Sequence, residues 1–163
     1  MILLKNTYQI GEKVVHIPEG VCIITEITKM TNFGEEKEYY KLIPVMDNTM
    51  TIYVGVNGPS KNIRKLKSRE EIQTIIKKQT ESRSHWEKNE EKRKAQMKAA
   101  IQKDDSIAMA KLLKTYYQKR KQQHLNTLDN NLLKQAEQLL YSEMAEVLQT
   151  DFQKLRAYIL AQL

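Results

Sequence analysis

Glycine and proline vanish part-way along this chain. All five glycines (Gly11, Gly20, Gly34, Gly55, Gly58) and all three prolines (Pro18, Pro44, Pro59) precede Lys61, although the chain runs to 163 residues. These two residue types make tight turns and end regular elements. Beyond Lys61 the chain is rich in Lys, Gln, Glu, Leu and Ala and contains neither. The partition predicts a β segment with many turns and then a helical one. It also favours two small domains over one at this length.

In the first segment, Gly11-Glu12 turns into a strand over Lys13 to Ile17, and Pro18-Glu19-Gly20 makes a second turn. Val21 to Ile27 is β-branched and apolar, then polar at Thr25 and Glu26, which fits a strand buried at its start and exposed later. Asn32 to Glu36 closes a hairpin. Tyr39, Leu42 and Ile43 mark a third strand, Thr49 to Val54 a fourth, and Asn62 to Leu66 can add a last one. So many short strands in so few residues predict a small closed or half-open barrel. Its core is small, and it should lean on a neighbour or partner.

Gly58-Pro59-Ser60 is the first clear break, and Ser68 with Glu71 is a capping box that opens a helix to about Lys78. Gln79 to Arg83 is polar and reads as a hinge. A second capping box, Ser84 with Glu87, predicts a helix with Trp86 in its first turn, running to about Gln102. Asp104-Asp105-Ser106 offers caps for the next helix, in which Met109, Leu112, Leu113, Tyr116 and Tyr117 fall on one face. His124 to Asp129 reads as a loop. Leu132, Ala136, Leu139, Leu140, Met144 and Val147 line a further helix, and Thr150 with Gln153 caps a last one carrying Phe152, Leu155, Ile159 and Leu163.

The stretch from Ser82 to Lys121 holds the functional signal. Trp86 is the only tryptophan, and the residues one turn ahead of it, Asn89 and Glu90, are polar, so its ring needs a neighbour from elsewhere. The net charge of +7 is also concentrated here: between Lys88 and Lys121 eleven basic residues face four acidic ones. A lone aromatic beside a basic helix suggests nucleic acid, with His85, Trp86, Lys88, Lys92, Arg93, Lys94 and Lys98 as candidate contacts. A large aromatic can equally plug a seam between domains, and a lysine-rich helix can be only a solvated face.

Catalytic chemistry has no foothold in the sequence. His16, His85 and His124 lack companions at metal-ligand spacing, and there is no phosphate loop or nucleophile elbow. The chain reads as a non-enzyme with no cofactor and no metal. Cys22, the one cysteine, excludes an intrachain disulfide and reads as a small core residue. Met1 to Leu4 is apolar but short, with no cleavage motif, and no apolar run reaches ~18 residues, so a soluble, cytoplasmic protein without membrane contact is expected.

The run Gly11-Glu12-Lys13-Val14-Val15-His16-Ile17-Pro18-Glu19-Gly20-Val21-Cys22-Ile23-Ile24, together with Glu38 to Leu42, Met50 to Val54 and Ile63 to Leu66, resembles the CarD/CdnL family of bacterial transcription regulators. The family's β domain is shared with the polymerase-binding module of transcription-repair coupling factor. Trp86 before a basic helix, Lys103-Asp104-Asp105 and the pair Tyr116-Tyr117 are similar to its DNA-contacting half. The resemblance implies a two-domain α+β chain: a small N-terminal Tudor/SH3-like β-barrel (1–67), a helix and hinge (68–83), and a C-terminal all-α helical bundle (84–163). It implies docking on the bacterial RNA polymerase β subunit through Lys29, Met30, Thr51, Ile52 and Tyr53, with a monomer as the working form. It further implies that Trp86 wedges into the minor groove of promoter DNA at the upstream edge of the bubble, without sequence specificity. Met30 and Tyr53 stand where well-studied members carry arginine, which shifts docking toward backbone and apolar contact. Asn89, Glu90 and Glu91 dilute the charge beside Trp86. A competing reading is a protein-interaction adaptor whose helical bundle is structural and never touches DNA.

Overall fold

The computed structural model describes residues 8–57 and 62–163. The Met1 to Leu4 patch and the Gly58-Pro59-Ser60 break lie outside the described residues. The chain divides into two compact units, Met1–Leu66 and Lys67–Leu163.

The first unit is one antiparallel sheet. Its strands are β1 (Lys13–His16), β2 (Gly20–Asn32), β3 (Glu35–Pro44), β4 (Ile52–Gly55) and β5 (Ile63–Arg64), in the order β4-β3-β2-β1-β5. The expected barrel does not close. β4 pairs with β3 alone and β5, two residues long, with β1 alone, so two short strands stand at opposite edges with too little ladder to join. The sheet is nevertheless curled, because Val14, Cys22, Ile24, Tyr40, Leu42 and Ile63 form one cluster and Ile52, Val54 and Val56 pack on it. A register shift between Ile24 and Glu26 re-aims β2, and Thr25, left out of the ladder, donates its hydroxyl to the Lys41 carbonyl at 3.3 Å. Beyond that bulge, β2 and β3 run on as an exposed ribbon to a turn at Phe33 (φ 50°) and Gly34 (φ 81°).

The second unit holds α1 (Arg69–Glu81), α2 (Glu90–Gln102), α3 (Ser106–Gln122), α4 (Thr127–Val147) and α5 (Phe152–Gln162). Each starts on a side-chain cap, since unpaired amides at a helix start need an acceptor. Ser68 and Glu71 exchange both bonds of the capping box at 3.1 and 3.2 Å. Asp151, not Thr150, caps α5, and α4 begins at Thr127 inside the expected loop because Asn126 accepts the Asp129 amide at 2.8 Å. α1 also overruns the expected hinge. Gln79 is fully buried in it and donates to the Tyr141 hydroxyl at 3.0 Å, in a network that continues through Tyr117 and Glu137 to Arg156.

Cys22 tests the sheet's tightness. It is fully buried, and burial first and the Glu19 carboxylate second push its thiol up to about 12. Only the thiolate reacts. Iodoacetamide at pH 8 should therefore leave native protein unlabelled and modify it within minutes in denaturant, as read by intact mass. Rapid native labelling would mean that this sheet opens on its own.

Candidate nucleic-acid interface

Trp86 does not ride on a helix. The expected capping box at Ser84 is unused, and residues 82–89 form a segment outside helix and strand between α1 and α2, extended at its two ends, Ser82 and Asn89. Asn89 is the better cap: its side chain accepts the Lys92 amide at 3.0 Å, and Glu90 and Glu91 then occupy the first turn, where the helix dipole favours acids. Glu87, expected inside the helix, accepts the Asn89 amide at 3.1 Å from outside it.

Two buried cations pin this segment. Lys114 of α3 donates to the carbonyls of Thr80 and Ser82, each at 2.6 Å, and so fixes the end of α1 where the segment begins. Arg93 of α2 fixes the other end. Its Nη1 donates to the Glu87 carbonyl at 2.9 Å, while its Nε and Nη2 make a two-pronged pair with Asp129 of α4 at 2.9 and 2.8 Å. Both partners are buried, Arg93 to 6% and Asp129 to 3% exposure. Such a fork sets orientation as well as position.

The indole lies between these anchors. The Arg93 guanidinium carbon sits 4.4 Å from the ring centroid, and Tyr116 of α3 meets the ring edge-on at 5.2 Å and 67°. Lys119 brings a further ammonium to 5.7 Å. A cation over an aromatic face contributes about 1 kcal/mol, more when desolvated, and an edge-on aromatic pair contributes a similar amount. Trp86 is therefore held, yet it remains partly exposed in the lining of a cleft that also takes in Lys88, His124 and Asn126. Burial pushes the Tyr116 hydroxyl up to about 12, so it stays neutral and alters no charge here.

The other candidate contacts separate into groups. Lys88 is exposed beside the indole, whereas His85 is exposed and lines a different groove, between α2 and α3. Arg93, expected on the surface, is instead interior and fully engaged. Helical spacing puts Lys92 on one side of α2, with Gln96, Ala99 and Lys103, and puts Lys94 and Lys98 on the other. Local sequence reasoning cannot assign Tyr116, Lys119 and Asp129 to the indole and its anchor, because those contacts cross about 30 residues or more.

On the sheet, cross-strand register places Met30, Lys37, Tyr39, Lys41 and Tyr53 on the face away from the core. Met30 is half-buried and Tyr53 exposed there, and Lys29 lines a cleft with Tyr39, Gly55 and Asn57. Ile52 packs on the core, leaving only its backbone at the edge, and Thr51 is exposed just before β4. Phe33, wholly exposed at the ribbon's tip, gives no sequence signal beyond its place in a turn. Among the described residues no acidic, histidine or cysteine cluster could hold a metal, and no helix is long and apolar enough to cross a membrane.

Comparison with known families covers both units. Residues 8–67 match the model described as the CarD-like/TRCF RID domain, and residues 71–159 match that of the CarD C-terminal domain. No curated protein matches the chain.

The Arg93–Asp129 pair sets the indole, so removing the carboxylate leaves a buried, uncompensated guanidinium. Asp129→Ala should destabilise the helical unit by on the order of 3 kcal/mol. It should also shift Trp86 emission to the red and make it more accessible to iodide, measured alongside denaturant unfolding. Unchanged emission would mean that the ring is seated without this pair.

Proposed function

The chain belongs to the CarD family, whose members are transcription-related proteins that interact with RNA polymerase, and on that premise we propose that it regulates promoter opening without catalysing a reaction. In this reading the sheet docks on the polymerase β subunit and the helical unit meets promoter DNA. Trp86 enters the minor groove at the upstream edge of the bubble. One observation carries it: the single tryptophan is neither sealed in the bundle nor loose, but held partly exposed on a segment pinned at both ends.

Physical reasoning makes the arrangement suitable for a wedge. Unstacking a base step costs a few kcal/mol, and a flat apolar side chain recovers part of that cost only where the step is already distorted. A ring held by Arg93 and Tyr116 loses little freedom on insertion, which lowers the cost of binding. Docking is supported by the edge strand β4, which can accept a partner strand, and by Met30 and Tyr53 on one outward face. Phe33 at the ribbon's tip adds an apolar side chain that no described residue of its own unit covers.

The test is open-complex lifetime on a promoter with purified polymerase, challenged with heparin. Trp86→Ala should retain polymerase binding in a pull-down and lose the added lifetime, up to about tenfold, which corresponds to ~1.4 kcal/mol. A lifetime that is the same with and without the indole would remove the wedge and leave an adaptor.

A further inference from the structure

A second basic surface, separate from the indole's cleft, borders the Ser82–Asn89 segment. It is a groove between α2 and α3 lined by Arg83, His85, Lys103 and Lys111. Ala99 lies four residues before Lys103 on α2, and Ala108 lies three before Lys111 on α3, so each lysine shares a helix face with an alanine of the lining, and Gln96, Leu112 and Thr115 complete it.

The charges in it are available to a ligand. Arg83, Lys103 and Lys111 are exposed, and among the described residues none of them makes an ion pair. The one acid in the lining, Asp105, is occupied in capping α3, where it accepts the Ala108 amide at 3.1 Å. Lys92 continues the Lys103 stripe toward the start of α2. The two cations that hold the segment, Lys114 and Arg93, are buried beneath it, so the groove's own cations carry no structural duty that the structure displays.

We propose that this groove is a second phosphate track, taking the sugar-phosphate backbone of duplex DNA beside the base step that Trp86 enters. The inference deepens the reading above and rests on it. A wedge in the minor groove stands between two phosphate rows. Lys88 and His124 line the indole's own cleft and Lys119 stands over its ring, while Arg83, Lys103 and Lys111 line a groove that shares no residue with that cleft and would supply the second row. Three exposed cations with one engaged acid suit a polyanionic backbone, and contacts of this kind position the duplex without reading its sequence.

The experiment is fluorescence anisotropy of the full chain with a labelled duplex carrying a short unpaired bubble, titrated at several salt concentrations. The variants are Lys103→Gln/Lys111→Gln and, separately, Trp86→Ala, each checked by circular dichroism for an unchanged melting curve. Each phosphate neutralised contributes about −0.9 to the slope of log affinity against log salt. The double variant should therefore flatten the slope by about two and weaken binding most at low salt, whereas Trp86→Ala should weaken binding with its slope unchanged. A double variant with the wild-type slope overturns the groove and leaves the wedge standing. No binding of the wild-type chain to this DNA overturns both readings. Polyglutamate that displaces the duplex at equal charge concentration overturns the groove in favour of an acidic protein partner.

Discussion

The helical unit is arranged around one guanidinium. Arg93 uses two of its three nitrogens on Asp129 and the third on the Glu87 carbonyl, and still offers its flat face to the indole. A lysine could neutralise Asp129, but it could not satisfy that fork, reach the carbonyl and stack at once. Everything that makes Trp86 presentable depends on the multiple use of this group. α4 is thereby tied to α2, the segment gets a fixed exit, and the ring gets a floor. Burying a charge pair of this kind brings little net stability against a well-packed apolar alternative. Its value here is geometric: the indole has one orientation.

Lys114 completes the constraint from the other side. An ammonium held by two carbonyls at 2.6 Å at the end of α1 meets the negative end of that helix, so α1, α3 and the start of the segment move as one. The polar chain from Gln79 through Tyr141, Tyr117 and Glu137 to Arg156 then locks α1 to α3, α4 and α5. A connection without secondary structure, such as residues 82–89, would ordinarily wander. Fixed by buried cations at both ends, this one behaves as a mount.

How much of this is legible in the sequence depends on which interactions are local. The break in glycine and proline usage locates the change from sheet to helices, because turn chemistry is a property of a few neighbouring residues. Ser68 with Glu71 announces α1 for the same reason. The Ser84–Glu87 box misleads because the same local rule also fits Asn89 with two acids after it, and only the tertiary demand of Arg93 on the Glu87 carbonyl decides between them. Helix ends after Lys61 are hidden, since α2 and α4 close with Asp104 and Gln149 in the left-handed region where glycine would have been the visible sign. Their amide partners, Asp105 to Ala100 and Thr150 to Ala145, satisfy the last carbonyls without it. Barrel closure depends on whether the edge strands meet, and a two-residue β5 carries no pattern that would tell. The indole's neighbours lie about 30 residues away in sequence, beyond any periodicity argument.

The acids beside Trp86 acquire a different meaning once placed. Glu90 and Glu91 sit in the first turn of α2, and Glu90 accepts from Asn126 at 3.4 Å, so they help fix where the helix starts and draw it toward α4. Glu90, in the lining of the indole's cleft, also keeps that cleft from being strongly cationic. That is an advantage for a wedge. A surface that gripped closed and open duplex equally would raise occupancy and leave the balance between them untouched, because only differential affinity moves a two-state equilibrium. Phosphate attraction is nearly blind to whether a base step is stacked, whereas insertion of a ring is not. In the proposed reading, a site that leaves the indole to discriminate, with general affinity supplied by a docked sheet and by cations set apart from the ring, would direct its binding energy to the state in which the strands have already parted.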